Sequence, residues 1–230
     1  MKKIKSHIYD PSSLDQDLKD QDLKELENLL ESKDELSESK DLLPFFRDRR
    51  NLICCIGACY HPKLIMPDRY AHECDIFGDF RSDFLVGDSS RGAFCFIELE
   101  DATKTSIFHQ VGKRTSRDWA PRFNHGYSQI IDWSYKIDDM KKTNAFRDKF
   151  QSEKFKPLSL LIIGRDKFLS DNPEEKRRLD WRKDNVIVHS MTVACLTYDQ
   201  LLVDLKDHCT MYYKQAEENF LEEDGSGEEE

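Results

Sequence analysis

Two apolar, aromatic-rich runs lie close together near the middle of the chain, at residues 83–88 and 93–100. The polar residues between them include two serines and a glycine, which favour turns, so the pattern predicts a β-hairpin. Antiparallel pairing would bring Asp83, at the start of the first run, close to Glu98 or Glu100 near the end of the second. Because clustered carboxylates on buried strands attract divalent cations, the hairpin predicts a metal site.

A second turn is predicted just before this hairpin. Gly78-Asp79 lies between two β-like stretches of residues 70–86, which indicates a tight turn at these two residues. Glu73 and Asp75 lie on the first stretch, and either would add a carboxylate to the Asp83 cluster if the strand register allows it.

The N-terminal part has the pattern of helices. Leucines at helical spacing within residues 14–30 predict an amphipathic helix, with Ser12 and Ser13 as N-caps. This helix is expected to pack on the core or on a second subunit. A further helical piece is predicted at residues 42–47, with Pro44 in its first turn.

A longer helix is predicted over residues 123–150. Its apolar face is expected to comprise Phe123, Tyr127, Ile130, Ile131, Ser134 and Ile137. Gln129 lies beside this stripe, where it is either an ordinary polar residue or placed to reach over the sheet.

The C-terminal third alternates between strand and helix patterns. Residues 157–164 form a continuous apolar run, typical of a central buried strand, and residues 186–196 are rich in β-forming residues. Between them, residues 172–183 predict a charged helix. Its arginines are predicted to be exposed: Arg177, Arg178 and Arg182. Thr197 begins a capping box for a last helix. This order of elements predicts an α/β fold with a mixed sheet.

Composition fits one sizeable core with extensions, because the chain has 230 residues and 14 phenylalanines. Residues 217–230 carry eight acids and no Lys or Arg, which leaves −2 of the formal net charge of −10 for the rest. This tail is expected to stay solvated and does not exclude DNA binding by the remainder. No apolar run approaches the roughly 20 residues of a membrane span. Seven cysteines without framework spacing favour reduced thiols, so a cytoplasmic protein without membrane contact is expected.

A basic loop follows the acidic end of the hairpin. Between residues 104 and 125 the only acid is Asp118, whereas the Lys and Arg residues are Lys104, Lys113, Arg114, Arg117 and Arg122. Cations around a metal site would neutralise the phosphates of a polyanion. An ordinary solvated loop has a similar composition. The pattern predicts nucleic-acid binding by these five residues.

Asp83, the hairpin and Glu98-Leu99-Glu100 together resemble the PD-(D/E)-x-K arrangement of metal-dependent nucleases. Residues 129–133, Gln-Ile-Ile-Asp-Trp, resemble the Q-x-x-x-(Y/W) helix motif of many of those nucleases. The resemblance implies a restriction-endonuclease-like core, with a mixed central sheet flanked by helices and an N-terminal helical extension. Hydrolysis in such a site uses Mg²⁺ or Mn²⁺ on carboxylate oxygens. The implied ligands are Asp83, Glu98 and Glu100.

More narrowly, the order and spacing of five segments are similar to the Shedu family of antiphage defence proteins. These segments are Phe96–Glu100, Ile107–Phe108, Ser128–Trp133, Leu161–Arg165 and Leu196–Leu202. The resemblance extends over roughly residues 45–205, which is most of the chain, although each segment is short. The resemblance implies a metal-dependent DNA endonuclease of bacterial immunity that works as a homo-oligomer, with DNA as substrate and a phage-derived trigger among its expected partners.

Position 100 departs from the nuclease pattern, which has Lys two residues after the second acid. Three interpretations remain open. In the first, Glu100 is a further metal ligand and Lys104 or Lys113 supplies the cation. In the second, Gln129 together with a second metal orients the water and stabilises the charge in place of the Lys. In the third, the fold is catalytically silent, binds nucleic acid or a phage component, and signals by assembly. We favour a retained metal site.

The predicted organisation has three parts. Residues 1–40 form an N-terminal helical extension, and residues 41–210 form the nuclease-like domain. Residues 211–230 contain the end of the last helix and the acidic tail.

Overall fold

The computed structural model describes residues 7–8, 16–152, 154–170, 172–188 and 191–208 and shows a mixed α/β arrangement. The strands are β1 His7–Ile8, β2 Arg69–Ile76, β3 Phe80–Asp88, β4 Ala93–Leu99, β5 Phe108–His109, β6 Asp118–Trp119, β7 Lys156–Ile162, β8 Ile187–Val188, β9 Met191–Thr192 and β10 Ala194–Leu196. The helices are α1 Gln16–Ser32, α2 Leu43–Arg47, α3 Arg50–Tyr60, α4 Pro121–Met140, α5 Asn144–Phe150, α6 Lys167–Ser170, α7 Pro173–Asn185 and α8 over residues 198–208. A π-helical turn, Glu38–Leu42, runs directly into α2. None of the helices within these ranges is both long and apolar enough to cross a membrane.

A six-stranded mixed sheet has the strand order β1-β2-β3-β4-β7-β10. The first four strands pair antiparallel, whereas β7 pairs parallel with both β4 and β10. A parallel pair needs a crossover connection, and α4 and α5 lie in the connection from β4 to β7. The end of β7 is fully buried, with Leu160, Leu161 and Ile162 each 0% exposed. The prediction of a central buried strand in this region is confirmed.

Side chains at alternate strand positions pack into two apolar layers, one on each face of the sheet. On one face, Phe84, Val86 and Ile97 join a cluster with buried residues of α1, α2, α3 and α8. On the other face, Leu85 and Phe96 join a cluster with buried residues of α4, α5 and α7. The sheet is therefore covered by helices on both sides.

Helix α1 packs on the core, which was one of its two expected positions. Leu23, Leu26 and Leu30 are buried in the first of the two layers. The predicted caps, Ser12 and Ser13, lie outside the described residues.

Several predicted turns and helix starts are confirmed. Between β2 and β3, Phe77 and Gly78 have φ values of 55° and 86°, as a tight hairpin turn requires. Pro44 lies in the first turn of α2. At the start of α8, Thr197 Oγ1 accepts a hydrogen bond from Gln200 N at 3.1 Å, which is the N-cap contact of the predicted capping box.

The prediction of one continuous helix over residues 123–150 is wrong. α4 ends at Met140 and α5 begins at Asn144. The break is fixed by Thr143, whose Oγ1 accepts a hydrogen bond from Phe146 N at 3.2 Å and so caps α5. Because the apolar spacing continues across the break, periodicity alone does not reveal it.

Candidate functional site

The β3–β4 hairpin places two of the predicted site residues opposite each other. The register pairs Phe84 with Ile97, so the residues next along the strands, Asp83 and Glu98, face each other on one side of the sheet. Leu99 N donates a hydrogen bond to Asp83 Oδ2 at 2.8 Å. The backbone of one strand thereby fixes the carboxylate of the other.

Two carboxylates hold the tip of the hairpin: Asp68 Oδ1 accepts a hydrogen bond from Ser89 N at 2.8 Å, and Asp88 holds the next residues. Asp88 Oδ1 accepts hydrogen bonds from Ser90 Oγ at 2.6 Å and from Arg91 N at 3.0 Å. Gly92 completes the turn with φ 63°, in the left-handed region that glycine adopts readily. The polar residues that predicted the turn therefore hold β3 and β4 in register.

Strand β2 is irregular beside Asp83. Its register with β3 pairs the residues on both sides of Glu73 but skips Glu73 itself. Glu73 has φ 49°, a left-handed conformation that is uncommon for a residue with a side chain. Its negative charge contributes to the raised pKa of Asp83. Backbone strain of this kind clusters at functional sites, and here it lies next to a candidate metal ligand.

Burial raises the pKa of both Asp83 and Glu98. Glu98 is only 6% exposed, and the negative charges of Asp83 and Glu100 raise its pKa further. For Asp83, the hydrogen bond from Leu99 opposes the larger effect of burial. Glu98 Oε2 is buried without a hydrogen-bond partner. The pair is therefore costly when ionised, unless a proton or a cation neutralises it.

Gln129 on α4 reaches the sheet at Glu98. Its Nε2 donates a hydrogen bond to Glu98 Oε1 and leaves Oε2 without a partner. α4 can lie this close because Gly126 has no side chain: an added Cβ would lie 2.7 Å from Leu161 Cδ1 and 3.2 Å from Glu100 Cγ. The close approach of α4 thus brings Gln129 within reach of the acidic pair.

Trp133, the last residue of the Gln129 motif, belongs to the core. It is 1% exposed, and its ring centroid lies 6.4 Å from that of Phe96. Ile131, which was predicted to face the core, is instead 45% exposed, so this prediction is wrong. On a helix of 3.6 residues per turn, the inward positions Ile130 and Trp133 leave the residue directly after Ile130 turned toward solvent.

Glu100 lies in an ion cluster around Arg122. Arg122 Nη1 is 3.2 Å from Glu100 Oε2 and 3.1 Å from Glu38 Oε2, and Arg122 Nε donates a hydrogen bond to Asp101 Oδ2 at 3.1 Å. Burial raises the pKa of Glu100 to about 8, although Arg122 opposes the shift. Tyr198 OH donates a hydrogen bond to the Glu100 carbonyl at 2.9 Å. The guanidinium of Arg122 therefore pairs with three carboxylates.

Sequence reasoning missed two members of this cluster, Glu38 and Asp101. Glu38 N donates a hydrogen bond to Asp101 Oδ1 at 2.7 Å, which joins the π-helical turn to the end of β4. Burial is also the main cause of the raised pKa of Glu38. Asp101 could have been recognised from the sequence, because it directly follows the candidate ligand Glu100. Glu38 precedes Asp101 by 63 residues, and no local pattern links the two.

The predicted phosphate-contacting cations fall into two groups. Arg122 and Arg117 are engaged within the chain, the latter with the buried carboxylate of Glu175. Lys104, Lys113 and Arg114 are exposed, and of these Arg114 pairs with Asp118 of the same loop at 3.1 Å. Arg122 is also exposed despite its ion pairs. Among the described side chains, the cation that pairs with Glu100 is thus Arg122 rather than a lysine of the loop.

The donor chemistry of the site suits a hard divalent cation, although a complete ligand set is not preformed. Within the described part of the chain, no three His, Cys, Asp or Glu side chains are arranged to hold a metal ion. Mg²⁺ is often held by only one or two carboxylates, with water and substrate phosphates completing its shell. Asp83 and Glu98 match this smaller set, whereas Glu100 is paired with Arg122.

The fold and the site define a mixed α/β protein with a buried acidic pair on one face of its sheet. The family model described as Shedu protein SduA, C-terminal, matches residues 35–202. The chain belongs to the Shedu family, and this membership points to antiphage defence. Comparison with curated proteins finds no match.

Proposed function

We propose that this chain is a nuclease of antiphage defence that hydrolyses phosphodiester bonds in DNA with a bound divalent cation. The carrying observation is the Asp83–Glu98 pair on facing strands, in which Glu98 Oε2 is buried without a partner. Buried carboxylates of this kind are stabilised by a neutralising cation. Membership of the Shedu family supports the biological setting.

The topology supports a restriction-endonuclease-like core for this activity. An antiparallel hairpin carries the acids, α4 follows the hairpin, and β7 then pairs parallel with β4. α4 also carries Gln129, which reaches the acid on β4. These contacts join the sheet and the helix at one site.

Asp83 and Glu98 would hold the Mg²⁺ or Mn²⁺ ion. When bound, such an ion offsets negative charge on the phosphate and makes water a better nucleophile. Gln129 acts on Glu98: its hydrogen bond to Oε1 fixes the orientation of the carboxylate and keeps Oε2 available. The strand backbone acts on Asp83 through Leu99 N.

Arg122 supplies the positive charge that Glu100 does not. Its guanidinium is 3.2 Å from Glu100 Oε2, at the level of the sheet where a nuclease of this pattern has Lys. Arginine pairs strongly with phosphate through its planar set of donors, so an incoming phosphate competes with the acids of the cluster for Arg122. The exposed cations of the loop would contact flanking phosphates: Lys104, Lys113 and Arg114.

Cleavage of supercoiled and linear plasmid DNA by the full chain, in Mg²⁺, Mn²⁺ or EDTA, tests this function. Asp83→Asn and Glu98→Gln should each abolish cleavage while keeping the far-ultraviolet circular dichroism spectrum. Asp148→Asn, which changes an exposed carboxylate of α5, is the matched control and should cut like wild type. Wild-type cleavage by the Asp83→Asn/Glu98→Gln double variant would contradict the proposed site.

A second candidate is a catalytically silent protein that binds nucleic acid and signals by assembly. Two observations favour it: Glu100 stands where the nuclease pattern has Lys, and the described residues contain no preformed three-ligand metal centre. This function predicts DNA binding that weakens steeply with salt, together with intact DNA under every metal condition. The plasmid assay therefore separates the two candidates.

A further inference from the structure

An open groove of about 560 Å³ lies along α7. Its lining combines two tryptophans with three arginines, and comprises Trp119, Glu174, Arg177, Arg178, Trp181, Arg182 and Val186. Trp181 is 65% exposed, which is unusual for so large an aromatic side chain. The groove is therefore both aromatic and basic.

The arginines of α7 carry charge that the described carboxylates do not neutralise. Arg178 donates a hydrogen bond to the backbone carbonyl of Arg117 at 2.8 Å. Arg182 Nε is buried without a hydrogen-bond partner. Within the described residues, no ion pair joins Arg177, Arg178 or Arg182 to an acid, whereas Arg117 is paired with Glu175. With three arginines and one acid, Glu174, in its lining, the groove carries net positive charge and attracts an anionic ligand.

Aromatic rings hold two of these arginines in place. The Arg182 guanidinium lies 4.4 Å from the ring centroid of Tyr127 and 4.8 Å from that of Trp119, and Arg178 lies 4.9 Å from that of Phe108. Cation–π contact accounts for these positions. The prediction that Arg178 and Arg182 are exposed is wrong, because both are half-buried against these rings.

Trp181 is the ring left for a ligand. Trp119 already stacks on Phe123, with 4.7 Å between ring centroids, and lies 4.5 Å from the ring centroid of Phe108. Trp181 is largely in solvent, and Arg177 lies four residues before it on the same side of α7. A flat group stacked on Trp181 would therefore have a guanidinium beside it.

We propose that this groove binds an unpaired stretch of a nucleic acid strand, with one base stacked on Trp181 and adjacent phosphates contacted by Arg177 and its neighbouring arginines. Aromatic rings in a basic groove are the means by which proteins hold single strands without reading their sequence. A protein partner with an apolar surface would leave the three arginines without counter-charge.

One side of the groove, at Trp119, lies close to Arg122 of the candidate site. Trp119 precedes Arg122 by three residues, so their Cα atoms are at most roughly 11 Å apart. The inference rests on the proposed function in that it names the part of the nucleic acid that the chain holds. Binding itself needs neither the metal ion nor cleavage.

Fluorescence anisotropy with labelled single-stranded DNA, single-stranded RNA and blunt duplex DNA tests the groove, using the full wild-type chain in EDTA. Trp181→Ala should weaken binding of the preferred single strand about 5- to 150-fold, which corresponds to the loss of one stacked base. Arg177→Glu should weaken binding and reduce its salt dependence. Tyr135→Ala and Arg147→Glu are matched controls at exposed positions of α4 and α5, and both should bind like wild type.

Single-strand binding by Trp181→Ala and Arg177→Glu at the level of their controls would overturn the proposal. So would a Trp181→Ala variant that changes the molar mass in solution but not the affinity, because this face would then be a contact between copies of the chain. Trp181-dependent binding without any cleavage by wild type would support the groove and overturn the nuclease. Cleavage that depends on Glu98, together with unaltered binding by Trp181→Ala, would support the nuclease and overturn the groove.

Discussion

Replacing Glu100 with Gln should remove the contribution of this buried carboxyl to the pH dependence of the protein's stability. Burial raises the pKa of Glu100 from 4.5 to about 8, so the folded chain keeps the proton over a pH range in which the unfolded chain loses it. The stabilisation that results is fully present below pH 4.5 and is lost as the pH rises through about 8.

The difference between a pKa of 4.5 and one of about 8 corresponds to about 5 kcal/mol of unfolding free energy. This value is an upper bound, because water that enters the ionised site reduces the penalty. Gln resembles the protonated acid in shape and cannot ionise. The Glu100→Gln variant should therefore match wild type at acidic pH and exceed its stability by a few kcal/mol above pH 8.

Urea unfolding in EDTA, followed by circular dichroism below pH 4.5, at neutral pH and above pH 8, measures this difference. Glu31→Gln, at an exposed position of α1, is the matched control and should follow the wild-type curve. If the stabilities of wild type and Glu100→Gln fall in parallel as the pH rises, Glu100 does not titrate as its burial requires.

Three further substitutions probe the site and its support. Gln129→Ala removes the donor to Glu98 and should lower the plasmid cleavage rate about 10- to 100-fold while the far-ultraviolet circular dichroism spectrum stays that of wild type; an unaltered rate would reduce Gln129 to a packing residue. Trp133→Ala should cost about 3 to 5 kcal/mol in urea unfolding, against less than about 0.5 kcal/mol for the exposed Tyr135→Ala; equal costs would contradict the assigned helix face. Glu73→Gly should be more stable than Glu73→Ala by about 1 kcal/mol in the same assay, because glycine tolerates the φ of 49°; the opposite order would show that this backbone is not strained.

The parts of the fold that were predictable depend on neighbouring residues. The hairpin followed from two apolar runs and a turn rich in serine and glycine, and its register brought Asp83 opposite Glu98. The start of α8 followed from Thr197, whose hydroxyl bonds to a residue three positions along the chain. In both cases the residues that set the geometry are close in sequence, so local chemistry contains the information.

The parts that were not predictable depend on contacts between distant segments. Glu38 joins the acidic cluster through Asp101, a residue 63 positions away. Arg182 has the sequence context of a solvent-exposed helix residue, yet its guanidinium packs against the ring of Tyr127 on α4. The position of a side chain relative to another element depends on tertiary packing, which periodicity does not encode.

The structure shows which cation lies near position 100, where the nuclease pattern has Lys. Side chains two residues apart on a strand share a face, so Glu100 lies on the same face as Glu98, where a lysine of the nuclease pattern would also lie. The cation found at this level comes instead from Arg122 in the first turn of α4, and it is shared among Glu100, Glu38 and Asp101. Burial raises the pKa values of Glu100 and Glu38, and the negative charges of the other carboxylates around the same guanidinium raise them further. Protons on these acids weaken their hold on Arg122, so the guanidinium can turn to an incoming phosphate without leaving three ionised carboxylates behind.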